Sequence, residues 1–311
     1  MPIDKRRLAD ALNRLLRRFD VTLARPSEIW RWTEQLGRQP TPPATPSPTG
    51  TPFLRVFGPD PAPQRFDFSV VMPTILRPTI ADALRSVFAQ DFAGTVQTLI
   101  GVDRPQGDPT AIELVCRERP ANHSVMLFYP GYSTSRRHGG LHPAWDGGVL
   151  RTVLSYLAAS RYVAYLDDDN WWGPQHLSAL RQALEGADWA WSLQWWVHPH
   201  SRRVICPDET DSVGPDAGRS PIGWVDPNCL AIDKLACEAV LRWWSIPQRN
   251  SARATSADLN VFRILRSEFR GRGSGIRSAF YVLNEHDTEL ERKVTLIGRE
   301  RYAKAGIALQ A

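Results

Sequence analysis

Residues 162–172 read Tyr162-Val163-Ala164-Tyr165-Leu166-Asp167-Asp168-Asp169-Asn170-Trp171-Trp172, and Pro174 closes the stretch. The segment 162–166 is short, aromatic-rich and uncharged, which predicts a buried strand. Three carboxylates follow it without a break and repel one another, so they cannot all be cheaply desolvated. A divalent cation would remove that penalty, because carboxylate oxygens are the preferred ligands of hard ions such as Mg²⁺ and Mn²⁺. A solvated acidic turn capping the helix that begins near Pro174 accounts for the same residues without a metal. The neighbouring segments have to decide between the two.

Those neighbours alternate between strand and helix patterns. Phe68 to Met72 predicts a buried strand ending at Pro73-Thr74. Pro78 opens a helix with Ile80, Ala83, Leu84, Val87 and Phe88 on one face. Val96 to Val102 is a second strand, ending in Asp103, and Ser124 to Tyr129 a third, with a helix over 111–119 between them. A helix from Gly148 to about Ser160 groups Val149, Leu150, Val153, Leu154 and Leu157 and leads into the acidic strand. This alternation predicts an α/β fold, a Rossmann-like and mostly parallel central sheet with helices on both faces. Ligands gather at the carboxyl ends of such strands, where Thr74, Asp103 and Asp167–Asp169 fall. Further on, a loop region is expected over 197–228. A helix from Ile232 to Trp244 would turn Leu235, Ala236, Ala239, Val240 and Trp243 inward. A helix over 259–269 follows, then a glycine-rich turn at 271–275 and a last strand, Ser278 to Leu283.

The flanks differ in character. Residues 1–38 hold an amphipathic segment with Leu8, Leu12, Leu15, Leu16 and Phe19 on one face, suited to packing on its own domain or on a copy of itself, or to a membrane surface or a partner. Residues 39–65 are expected as a proline-rich linker, 66–290 as the main domain and 291–311 as a helical tail. The 311-residue chain carries a net charge of +5, too slight to argue for nucleic acid but suited to an anionic small substrate. Its four cysteines, at 116, 206, 229 and 237, lack metal-site spacing. With neither an apolar leader nor a membrane-length apolar run in view, a cytoplasmic location is expected, with peripheral attachment at the inner membrane face as the variant.

Several nucleotide and protease motifs are absent, among them G-x-x-x-x-G-K-[ST], H-E-x-x-H and G-x-S-x-G. His138 and His142, with two glycines between them, read as loop residues. The run Ser69-Val70-Val71-Met72-Pro73-Thr74, then Arg77-Pro78 and Leu84-Arg85-Ser86-Val87, resembles the opening of family 2 glycosyltransferases with the GT-A fold. Tyr162 to Asp169 resembles that family's second hallmark, a strand running into a DxD motif. The resemblance covers roughly residues 66–290. It departs at Asp103-Arg104-Pro105-Gln106, where Asp-Asp-Gly-Ser is usual, and at Ser256-Ala257-Asp258, a reduced form of the motif that supplies the catalytic base.

The resemblance implies transfer of a sugar from a nucleotide-diphosphate sugar, a UDP-sugar being favoured, to a hydroxyl of a glycan or other acceptor, with inversion. It also implies a metal, Mn²⁺ or Mg²⁺, held by Asp167 and Asp169 and contacted by a late histidine, His286. Asp258 is the candidate catalytic base, and capping the helix at Leu259 is its other reading. Thr74, Arg77, Asp103 and Asp168 would line the nucleotide. Arg136 and Arg137 would clamp the diphosphate, since guanidinium forks match phosphate oxygens. Trp171, Trp172, Trp195, Trp196 and Trp224 offer indole faces for sugar stacking, of which Trp172 and Trp224 are the substrate-binding candidates. Core packing is the alternative for each. Two other activities stay open: a GT-A-like module that binds glycan or nucleotide without catalysis, and a nucleotidyltransferase.

Overall fold

The computed structural model describes residues 50–59, 63–104, 108–144, 147–247, 257–285 and 290–307. The expected N-terminal helix, most of the proline-rich stretch and His286 lie outside these residues, as does the Arg137 side chain. The core is a mixed ten-stranded sheet. Its strands in chain order are β1 (Phe53–Phe57), β2 (Phe66–Thr74), β3 (Val96–Val102), β4 (His123–Tyr129), β5 (Ser160–Tyr165), β6 (Trp171–Trp172), β7 (Trp189–Val197), β8 (Val204–Pro207), β11 (Leu230–Asp233) and β12 (Gly271–Val282). A small hairpin of β9 (Gly214–Pro215) and β10 (Gly223–Trp224) stands apart. Across the sheet the order is β1-β4-β3-β2-β5-β11-β7-β12-β6, with β8 on β7.

The block β4-β3-β2-β5 is parallel throughout, as the strand–helix alternation predicts. In β2 every residue except Asp67 is buried, the pattern of a strand covered on both faces. The connecting helices are α1 (Ile80–Phe88), α2 (Thr110–Cys116) and α3 (Gly148–Leu157). Two glycines seat α3. A side chain at Gly101 of β3 would meet Leu154 Cδ1 at 2.8 Å. Gly147, at φ 72°, lies so near the end of β2 that a Cβ there would sit 2.6 Å from the Pro73 ring. Both close approaches bring the first turns of α3 to the ligand edge of the sheet.

Four expectations are corrected. The inward face of α3 is Leu150, Arg151, Leu154 and Ser155, whereas Val153 and Leu157 are exposed. Residues 230–233 are a strand, not the start of a helix. A short apolar run is ambiguous between the two states, and here the slot between β5 and β7, to both of which it pairs antiparallel, settles it. Helix α4 (His176–Ala183) begins just after Pro174, and the helix beyond 230–233 is only the short α5 (Glu238–Leu241) with a 3₁₀ turn, where Leu235 is 69% exposed. Finally, Gly271–Gly275 belongs to β12. Gly271 and Gly273 pair with Trp189 and Trp191 of β7, and a Cβ at Gly271 would lie 2.5 Å from the Trp189 indole. The glycines make room for indoles and do not mark a turn.

The C-terminal half of the described chain adds α6 (Asp258–Glu268), α7 (Leu290–Ile297) and α8 (Arg299–Gly306). A strand, β1, forms within the stretch expected as linker and pairs with β4. Among the described residues no helix is long and apolar enough to cross a membrane.

Candidate functional site

Parallel strands β2, β3 and β5 deliver their last residues to one edge, and a cleft of about 280 Å³ opens there. Thr74, Arg77, Asp103 and all three acids line it. So do His138, Arg151, Asn170, Tyr281 and Asn284, which the sequence did not single out for the site.

The three acids have three different environments. Asp168 is 2% exposed and turns back toward β2. Its Oδ2 accepts from Thr74 Oγ1 at 2.6 Å and its Oδ1 from Arg77 Nη1 at 2.5 Å. Burial raises its pKa, and Arg77 and Thr74 oppose that rise. Asp167 accepts from Arg151 Nη2 on one oxygen and from Asn228 Nδ2, at 3.1 Å, on the other. Its backbone N–H donates to Asn228 Oδ1 at 2.7 Å, so the amide grips the residue at two points. Asp169 accepts a long contact from Arg77, 3.5 Å, and a hydrogen bond from its own backbone, and keeps 33% exposure. Burial, then the charges of Asp167 and Asp168, push its carboxyl up to about 7.

This arrangement bears on a divalent cation. Asp169 fits one: its oxygens are not taken up by strong donors and its charge is disfavoured until a cation arrives. Asp167 accepts one hydrogen bond on each oxygen and so offers a cation only the lone pairs that those bonds leave. Asp169 is the more open of the two acids expected to share a metal. Among the described residues no group of three His, Cys, Asp or Glu side chains is placed to hold an ion. A small hard ion with one protein carboxylate completes its coordination with phosphate oxygens and water.

The other expected residues divide. Asp103 lines the cleft, but Ser133 Oγ, Thr134 N and Thr134 Oγ1 donate to its two oxygens at 2.6–2.7 Å. Its carboxylate orders the following loop. Arg136 is exposed in a 3₁₀ turn and outside the cleft wall; its neighbour His138, held 3.2 Å from Arg104, lines the wall instead. Trp172 is 3% exposed, stacked on His176 at 4.0 Å and hydrogen-bonded to Asn228 O. It is a core residue with no face for a sugar. Trp171 has Phe280 on one side at 5.2 Å and the Arg202 guanidinium 4.5 Å from its ring. Trp224 packs edge-on against Phe262, away from the cleft wall. Asp258 is the first residue of α6, one place past the cap, and accepts from Leu259 N at 2.7 Å. It also lies outside the cleft wall. It is near enough to Asp226 to help raise that carboxyl, which burial first and Asp167 next push up to about 7.

Among the residues that sequence reasoning missed, Arg151 and Asn228 are the two that hold Asp167. Arg151 stands between Leu150 and Leu154 on a buried helix face, where a lone guanidinium requires a partner. Asn228 belongs to Asp226-Pro227-Asn228, a turn in which the Asp226 carboxylate accepts from both the backbone and the side-chain nitrogen of Asn228. Either signal was visible, but neither said which acid would be reached.

The architecture is shared with solved glycosyltransferase structures, consistent with a GT-A-like fold. S. aureus TarS, residues 1–349 in complex with UDP, superposes with a TM-score of 0.50 at 15% identity, covering 74% of this chain and 65% of that one. The mannosyltransferase PcManGT from Pyrobaculum calidifontis, in complex with GDP-Man and Mn²⁺, gives 0.49 at 12% identity over 91% of this chain and 72% of its own. The second score is below one half and adds nothing to the fold assignment. This chain thus spans just under two thirds of the TarS fragment. No family model matches the sequence, and no curated protein matches it.

Proposed function

We propose that this chain is a glycosyltransferase that passes the sugar of a nucleotide-diphosphate sugar to an acceptor hydroxyl. The observation that carries the reading is the division of labour among the three acids. Asp167 and Asp168 are locked by Arg151, Asn228, Thr74 and Arg77, while Asp169 is held open at the cleft. A site that merely capped a helix would not need a separate arginine on each of two acids to hold them in place.

In this reading the acceptor oxygen bonds to the anomeric carbon as the bond from that carbon to the diphosphate breaks, with inversion. The nucleoside diphosphate leaves with the bonding electrons, and Asp258 takes the acceptor proton. Arg77, which bonds Asp168 and reaches Asp169 in the cleft wall, is the guanidinium this reading assigns to the diphosphate. Mg²⁺ or Mn²⁺ at Asp169 would supply Lewis-acid stabilisation of the departing charge. A UDP-sugar is the expected donor, UDP being the nucleotide in the TarS complex. The position of Asp258 outside the cleft wall favours a second reading, a module that binds the nucleotide sugar without turnover.

The test is release of nucleoside diphosphate from a panel of nucleotide sugars, with Mn²⁺ and then with chelator. Release that chelator stops is the expected result. Saturable binding of a nucleotide sugar with no release toward any acceptor supports the binding module, and no interaction with any nucleotide sugar refutes both.

A further inference from the structure

One cleft side chain is used by neither the donor reading nor the metal site. Tyr281 lies in the cleft wall. It pairs across the sheet with Trp196 and meets that indole edge-on at 5.3 Å. Its phenol oxygen is 3.1 Å from Lys293 Nζ on α7, and the same ammonium stands 4.7 Å from its ring centre. Lys293 is 7% exposed, so the contact is shielded from solvent. An ammonium can only donate. The phenol oxygen must therefore accept from Lys293, and the phenol hydrogen must point elsewhere. Among the described residues nothing accepts that hydrogen. Burial holds the phenol above its ordinary pKa, so it stays a donor at neutral pH, and Asp169 and Asp226 are both close enough to act on it.

We infer that the Tyr281 hydroxyl donates to an oxygen of the sugar-bearing β-phosphate of the bound nucleotide sugar, with Lys293 as the positioning residue behind it. The inference rests on the donor reading above. A phenol whose oxygen accepts from an ammonium is polarised and becomes a stronger donor, which favours an anionic acceptor over a sugar hydroxyl. Asn170 fixes the geometry from the other side: its Oδ1 accepts from Val282 N at 2.8 Å, tying the turn after the acids to the strand that carries Tyr281.

Tyr281→Phe keeps the ring against Trp196 and removes only the oxygen. Binding of UDP and of UMP to the full chain, measured by calorimetry, tests the inference; GDP and GMP serve if the unaltered chain prefers guanine. Tyr281→Phe should weaken diphosphate binding about tenfold or more, the loss expected for a hydrogen bond to a charged group, and leave monophosphate binding unchanged. Lys293→Met should act in the same direction and Lys293→Arg should recover most of the loss. Unchanged UDP affinity in Tyr281→Phe, with Asp169→Asn still weakening it, overturns the inference and leaves the donor reading standing. Equal losses for UDP and UMP, or a loss confined to the intact nucleotide sugar, also overturn the phosphate assignment. If the unaltered chain binds neither nucleotide, the donor reading falls and this inference with it.

Discussion

Replacing Arg151 by methionine keeps the volume of the side chain and deletes the cation that faces Asp167. Arg151 is 4% exposed and Asp167 30%, so the pair is buried on one side and partly solvated on the other. Breaking a fully buried pair by removing one partner costs about 3–5 kcal/mol, most of it the uncompensated charge left behind. Asp167 keeps water on one side and Asn228 on one oxygen, which reduces the figure to about 2–3 kcal/mol. For a domain of this size that is a fall in Tm of roughly 5–10 °C. Asp167→Asn in the same chain should recover most of it, because an amide at 167 carries no charge to leave unpaired. Urea denaturation of the two single variants and the double variant measures both numbers. A loss below 1 kcal/mol in Arg151→Met, or a double variant no more stable than that single variant, would show that Arg151 does not neutralise Asp167.

Asp169→Asn should abolish nucleoside diphosphate release while leaving the melting temperature within a degree or two; undiminished release in that variant removes the centre of the functional reading. Trp172→Ala should cost about 3–5 kcal/mol as a core deletion, and in any folded fraction the donor KM should stay near its original value; a large KM change at unchanged stability would restore it as a sugar platform. Burial depresses His123 to about 4 and His176 to about 3, so both stay neutral in the native state as the unfolded chain takes up protons below its ordinary 6.5. Each therefore withdraws about 2 kcal/mol of stability between pH 7 and pH 5. Asp169 and Asp226, raised to about 7, work in the opposite sense. The contribution of one imidazole is isolated by comparing denaturation at the two pH values with His123→Gln, whose acid loss should be smaller; an identical loss refutes it.

The parallel half of the sheet was legible because β2, β3, β4 and β5 are runs of apolar residues separated by helices with a clear apolar stripe. There the local pattern and the tertiary environment agree. It failed where burial on all sides erases the period, as in Leu230-Ala231-Ile232, and where glycines serve neighbouring indoles, as at 271 and 273. The three acids were legible as a candidate site because they fall at a strand end level with Thr74 and Asp103, which line the same cleft. Their division of roles was not: it depends on Arg151 and Asn228, which are 16 and 61 residues away from Asp167 in sequence. For Trp172 the residue type allowed a ring face or a core anchor, and only the stack on His176 decides between them.

Strand β11 runs against its neighbours, so its beginning and not its end faces the cleft. A deletion of one residue between Asp226 and Leu230 would have two effects at once. It would draw the Asn228 amide off Asp167 and, because side chains alternate along a strand, exchange the two faces of Leu230-Ala231-Ile232. Most loops bordering a binding cleft can drift in length as sequences diverge. This one cannot change by a single residue without also mispacking the sheet, so insertions and deletions in homologous chains should cluster upstream, between β8 and β10, and spare 226–230.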